Sequence, residues 1–258
     1  MKRYFYLAAS LAPLDLYTKP PVTFADFLQD ALVYISDKDK KLINILRELI
    51  DIENIRRLLL DQKIDDRGNL SEKALDEAIL AKVNLPSYAV DFLTKYITAQ
   101  SRLDHFAALY AGFFSYYSNT GNEFISEYLR FEWELKLWIS VLRAQKLGID
   151  FAQVLQFEDS KDPLIMGMLV QKDVSDLIMP KNFIKLKDIF ANFSGDPLSL
   201  HQKIEEFRLS KIIELTQDKL FVIDNILGYL AQLLIIEQWQ ALNPQEGLNR
   251  LNRFTMNH

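Results

Sequence analysis

Adjacent carboxylates at Asp65 and Asp66 are the residues best placed to do chemistry, because a carboxylate pair can hold the magnesium ion of a diphosphate substrate. That chemistry wants Asp-Asp-x-x-Asp on a helix facing a cavity. Here Asn69 takes the place of the last Asp, directly after Gly68. The wider stretch Asp61–Glu72 has the acidic content of a calcium loop. With Gly68 and Leu70 at the sixth and eighth loop positions, however, the ligand positions become Lys63, Asp65, Arg67 and Ala74, and only Asp65 qualifies. Glu132 and Glu134 flank Trp133 and so leave a helix on different sides, which does not suit paired acid–base work. His105, His201 and His258 are far apart in sequence, and no cysteine is present, so thiol nucleophiles and cysteine zinc sites are excluded. The phosphate-cradling glycine loop, the dinucleotide G-x-G spacing, G-x-S-x-G and H-E-x-x-H are all missing. The expectation is a protein that is not an enzyme, with no catalytic residues, no metal and no cofactor; a helical magnesium–diphosphate enzyme built on Asp65 and Asp66 is the alternative.

The elements around these residues read as helices. Across 258 residues the hydrophobic content is 49%, and glycine and proline number eight each, so long segments run unbroken with period 3.6. This predicts an all-α chain, read as one helical domain over residues 1–258 with room for two lobes meeting near residue 120. A net charge of −5 argues against a nucleic-acid surface, which needs clustered Lys and Arg, and points to proteins or small molecules as partners. Lys2 and Arg3 before the apolar run Tyr4–Ala12 imitate a short secretory signal, but two tyrosines and Pro13 fit a mature segment better. The run Leu220–Ile236 contains Asp224, Asn225 and Gln232; it is too short and too polar for a membrane span and reads as a buried helix.

Along the chain, residues 4–16 read as extended or irregular. Thr23 with Asp26 caps a helix to about Ile35, and Ser36 with Asp39 opens a long one to about Lys63. Asn69 with Glu72 forms a capping-box pattern for a helix to about Lys82. Residues 87–119 read as helical with a bend near Gln100, and Glu123–Leu147 as a helix closed by Gly148. Asp196-Pro197 opens a helix to about Asp218, another covers 220–242, and Pro244 opens a last short one.

Within the long helix, Leu46, Leu49, Ile52, Ile55, Leu58 and Leu59 form an apolar stripe opposite Glu48, Asp51, Arg56 and Arg57. Glu134–Lys146 can be laid on Asp51–Lys63 without a gap, setting Glu134 on Asp51 and Trp138 on Ile55, although only three of the thirteen pairs are identical. The run Asp51-Ile52-Glu53-Asn54-Ile55-Arg56-Arg57-Leu58-Leu59, with Lys63 after it, resembles a repeat element of the central-stalk subunit of V-type and A-type ATPases called C, or d in eukaryotes. In that family an acidic residue, an Asn-apolar pair and a later Lys recur on one helix of each of three related bundles. The opening Tyr4-Phe5-Tyr6-Leu7-Ala8-Ala9-Ser10-Leu11 and the stretch Ile236-Glu237-Gln238-Trp239 are similar to a bacterial family encoded among V-type ATPase subunits. Two departures stand out. Leu137 replaces the Asn in the second copy; in a third, setting Glu237 on Asp51 puts Gln240 on Asn54 but Pro244 on Leu58, which ends the helix.

The resemblance implies an array of helical bundles with pseudo-repeats, funnel-like in that family. It implies a non-catalytic cap that couples the axle subunits of the ATPase to its membrane rotor ring, serving ion transport from the cytoplasmic side without spanning the membrane. Asp51, Asn54, Arg56 and Arg57 become the candidate partner contacts. Ion pairing within and between helices is the simpler role for the same four residues. A cytosolic helical adaptor of another kind is a further alternative.

Overall fold

The computed structural model describes residues 4–193 and 195–242. Among them the chain is all-α, with thirteen α-helices and no strand. In chain order these are α1 (Phe5–Ala9), α2 (Phe24–Tyr34), α3 (Asp37–Leu59), α4 (Glu72–Ala81), α5 (Ser87–Lys95), α6 (Ala99–Asp104), α7 (Phe106–Tyr116), α8 (Glu123–Leu147), α9 (Phe151–Val154), α10 (Pro163–Leu169), α11 (Ile184–Ala191), α12 (Pro197–Thr216) and α13 (Ile223–Gln240). A 3₁₀ turn, Lys181–Phe183, leads into α11. No helix among the described residues is long and apolar enough to cross a membrane.

The chain divides into two compact units, one from Met1–Ser36 with Gly195–His258 and the other from Asp37–Ser194. The turn near residue 120 joins α7 to α8 inside the second unit, so the division falls instead near residues 36 and 195.

The first unit is built around α13. Its buried residues include Ile226, Leu227, Leu230, Leu233, Leu234, Ile235 and Ile236, so it is apolar on nearly every side, as a helix enclosed by neighbours must be. It packs on α12, α2 and α1. Thr23 caps α2 by accepting the Asp26 N–H, while Asp196 caps α12 ahead of Pro197. Residues 5–9 form α1 rather than an irregular segment; burying Leu7 and Tyr4 in this unit offsets the weak propensity of so short a helix. The helix expected after Pro244 lies outside the described residues.

The second unit holds the two long helices, α3 and α8. Asn122 caps α8 by accepting the Ile125 N–H, and Gly148, with φ +67°, supplies the left-handed turn that ends it. Helix α3 stops at Leu59, four residues before the expected end. Asp61 takes φ +53°, the Gln62 N–H closes back on the Arg57 carbonyl at 2.8 Å, and the chain reverses without a glycine. Ser71, not Asn69, caps α4 by accepting the Ala74 N–H. The expected helix over 87–119 is three helices. Tyr96 turns extended after α5, and Thr98 caps α6 afresh by accepting the Ser101 N–H.

Candidate functional site

Reversal of the chain at Asp61 lays residues 62–70 back along α3, and the polar face of α3 holds them there. Asn54, 0% exposed, binds the backbone of one residue of the returning segment twice: its Nδ2 donates to the Asp65 carbonyl at 2.7 Å and its Oδ1 accepts the Asp65 N–H at 2.7 Å. One turn earlier, Asp51 accepts the Asn69 N–H at 3.0 Å, the Asn69 side-chain amide at 2.9 Å and the Leu70 N–H at 3.2 Å. A further turn back, Arg47 donates Nε to the Arg67 carbonyl at 2.9 Å and Nη2 to the Gly68 carbonyl. Positions 47, 51 and 54 share one helical face, and together they satisfy a loop that would otherwise bury unpaired peptide groups.

Two of the four candidate contact residues are therefore internal. Asp51 and Asn54 are buried and committed to the loop, so they do not form a docking face with Arg56 and Arg57. Arg56 is exposed and its guanidinium lies over the Phe106 ring, 5.5 Å from the centroid. Arg57 is half-buried and reaches the Lys63 carbonyl at 3.3 Å. The magnesium alternative loses its pair as well, because Asp65 is clamped by the Arg67 guanidinium at 2.8 and 2.5 Å while Asp66 is exposed. Burial pushes the Asp65 carboxyl up, but Arg67 outweighs it and holds the group below the usual carboxylate range. Among the described residues no group of three or more His, Asp or Glu is placed to hold a metal.

A pocket of about 400 Å³ opens beside this lock, lined by Glu48, Asp51 and Asn69 on its polar side and by Ile52, Leu75, Pro86 and Tyr88 among its walls. Glu48 accepts the Tyr88 hydroxyl at 2.5 Å on one oxygen and the Tyr117 hydroxyl at 2.7 Å on the other, tying α3 to α5 and to the end of α7. Burial raises the Glu48 carboxyl; the two phenols act against this and the Asp51 charge adds to it. Asp51 is raised too, first by burial, with the Leu70 and Asn69 donors and then Arg47 opposing. Both phenols are held well above their ordinary value, first by burial and then by Glu48.

A carboxyl whose value is raised on folding contributes stability that is complete below the ordinary glutamate range and is lost as pH rises through the raised value. Glu48→Gln keeps an acceptor for one phenol and a donor for the other but cannot ionise. As pH rises above the ordinary glutamate range, about 4.3, the native protein should lose thermal stability relative to this variant. Asp51 remains in both proteins, so its burial and its bonds to Asn69 and Leu70 are common to the two. Melting curves that run parallel as pH rises would rule the effect out.

Arg47, Tyr88 and Tyr117 do not stand out in the sequence, while Glu48, Gly68 and Asn69 do so only as a residue of a polar helix face and as parts of turn and capping patterns. One signal does point to Arg47. Extending the alignment of the long helices five residues upstream sets Arg130 on Arg47 and Leu129 on Leu46. Arg130 Nε lies 2.8 Å from Glu134 Oε1, matching the Arg47 charge that faces Asp51 one turn on. The burial register also agrees, with Ile52 and Leu135, and Ile55 and Trp138, all buried. The correspondence ends at Leu59, because Gln62 and Lys63 lie in the returning loop whereas Gln145 and Lys146 are still helical. In the third register the chemistry of the first returns. Glu237 accepts the Phe24 N–H at 2.6 Å, and Gln240 donates to the Thr18 carbonyl at 2.7 Å, so an acid and an amide three residues apart again grip the backbone of another segment. Tyr4–Leu11 and Ile236–Trp239 both lie in the first unit, where α1 packs on α13.

Three chlamydial proteins, each described as uncharacterised, are similar to the chain along nearly all of its length. The Chlamydia trachomatis protein is 26% identical over 258 residues, covering 98% of this chain and 97% of its own. Those of Chlamydia muridarum and Chlamydia pneumoniae are each 25% identical, with the same coverage. No solved structure matches. The model of a family described as protein of unknown function (DUF2764) matches residues 1–255, and the chain belongs to that family.

Proposed function

We propose that the protein is a non-catalytic coupling subunit of a V-type ATPase, seated between the axle subunits and the membrane rotor ring. The observation that carries this reading is the repeated acid–amide grip. The acid and amide at positions 51 and 54, and again at 237 and 240, each fasten a helix to the backbone of another segment, the loop that follows it in the first case and one more than 200 residues away in the second. These are the positions through which the resemblance to the central-stalk subunit enters. A part that passes torque between two bodies needs helices that do not slide against their loops, and buried amide and carboxylate ties provide that. The aromatic lining of the second unit works in the same direction, since Glu48 joins three helices through two phenols.

Co-expression with the axle and ring subunits of the V-type ATPase from the same cell tests the reading. The expected result is a complex that survives size-exclusion chromatography. A chain that binds neither component at micromolar concentration would refute it.

A further inference from the structure

The polar wall of the pocket beside α3 is rich in acceptors whose capacity is unused, while its donors are already engaged. Asn69 gives its side-chain amide hydrogens to the Asn44 carbonyl and to Asp51, each at 2.9 Å. Its side-chain oxygen is buried and, among the described residues, has no hydrogen-bond partner. An acceptor left in that state on a pocket wall marks a donor that the protein itself does not supply. The Tyr88 hydroxyl gives its proton to Glu48, which takes one phenol on each oxygen, so about half of the lone-pair sites of that carboxylate stay open. Asp51 takes two donors from Asn69 and one from Leu70 and keeps capacity for another. Asn44 and Asn84, both exposed, complete the polar lining.

Charge points the same way. Among the described residues, the lining holds Glu48 and Asp51 but no Lys, Arg or His, so a phosphate or carboxylate ligand would meet like charge and no counter-charge. Arg47 faces Asp51, yet its donors are engaged by the Arg67 and Gly68 carbonyls of the loop. Burial holds both carboxyls above their ordinary range, and a positive charge in the pocket would let both ionise. A metal ion is a poor fit, since no three His, Asp or Glu among the described residues come together to hold one. The remaining walls include Ile52, Leu75 and Pro86, and the volume of about 400 Å³ lies in the range of small-molecule sites. We infer that this pocket binds a small primary ammonium compound, its charge against Glu48 and Asp51 and its short hydrocarbon body against Ile52, Leu75 and Pro86. The site lies wholly within the second unit, and the inference does not rest on the coupling reading.

The test titrates the full chain with n-butylammonium chloride at constant ionic strength and follows amide chemical shifts by NMR. Butanol and sodium butyrate are the matched probes without a positive charge. The ammonium should bind with a dissociation constant of roughly millimolar and move the backbone and side-chain amide signals of Asn69 and the amide signal of Leu70. Butanol should bind at least about tenfold more weakly, and butyrate should leave these signals in place. Affinity should rise as pH is raised above the ordinary carboxylate range, because the amine stays charged while Glu48 and Asp51 give up protons; Tyr88 and Tyr117, the phenols that face Glu48, keep theirs. Glu48→Gln, which keeps the ties to both phenols, should weaken binding about tenfold and flatten the pH dependence. Asn44→Lys, at an exposed position of α3, sets an ammonium of the protein's own beside the pocket and should weaken binding at least as much while leaving the melting temperature nearly unchanged. Butyrate or butanol binding as well as the ammonium overturns the inference, as does an affinity that ignores pH or survives intact in either folded variant. So do shifts that sodium chloride alone reproduces, or none at all at about 50 mM ligand.

Discussion

Gly68→Ala should lower the stability of the protein by about 3 kcal/mol, from overpacking and the hydrogen bonds it displaces, which corresponds to a fall in melting temperature of roughly 10 °C. A Cβ built on Gly68 would sit 2.3 Å from Asp51 Oδ1 and 3.0 Å from Asn54 Nδ2. Neither of these atoms is the loose end of a flexible chain. Asp51 is held by the Asn69 and Leu70 N–H groups and Asn54 by both polar groups of Asp65, so making room for a methyl means giving up some of these bonds. Gly167→Ala is the control. An added Cβ there meets nothing within 4 Å, the residue lies inside α10, and alanine in a helix should leave stability unchanged or raise it by about 0.5–1 kcal/mol. Thermal melts of the two variants side by side decide the matter. If Gly68→Ala melts within a degree or two of the native protein, the loop is not locked to α3 in the way described.

The contrast shows which parts of the structure the sequence makes legible. Helices α3, α8 and α13 can be read directly, because their signals are local: an apolar residue every three or four positions, a cap within one turn, and Gly148 at the end of α8. The end of α3 is not legible. A left-handed Asp61 leaves no mark that separates it from an aspartate on a helix, and what holds it is the closing bond from Gln62 to Arg57. Asn69 misleads for a related reason. Its spacing to Glu72 fits a cap, but Asp51, eighteen residues away, takes its side chain and leaves the cap to Ser71. The Glu48 bonds to Tyr88 and Tyr117 span 40 and 69 residues, beyond any local pattern. The conspicuous polar residues Asp51 and Asn54 are legible as a pair, while their burial is not. Nothing in the helix itself says that a loop will return to cover them.

Asn54→Leu makes the first copy of the pattern match the second, in which Leu137 holds the same register and is buried, 5% exposed. Leucine shares asparagine's branch at Cγ but is larger, so at this fully buried position the variant removes hydrogen bonds and adds some overpacking. The Asp65 N–H and carbonyl lose their buried partners, at a cost of about 2–4 kcal/mol for the two groups. The loss should be local before it is global. In hydrogen exchange, the amides of residues 62–70 should open well before those of α3, because Asp51 and Arg47 still hold the far end of the loop. The reverse substitution, Leu137→Asn, inserts an amide at a buried position that leucine fills without hydrogen bonds. It should also destabilise, by about 1–3 kcal/mol, but without a protected segment that opens early. The pair of variants separates two accounts of position 54. If asparagine there is a clamp, the two substitutions differ in where the chain opens; if it merely fills space, they give the same uniform exchange profile. In the second case the acid–amide grip has no mechanical meaning, and the argument for a coupling part loses the observation on which it stands.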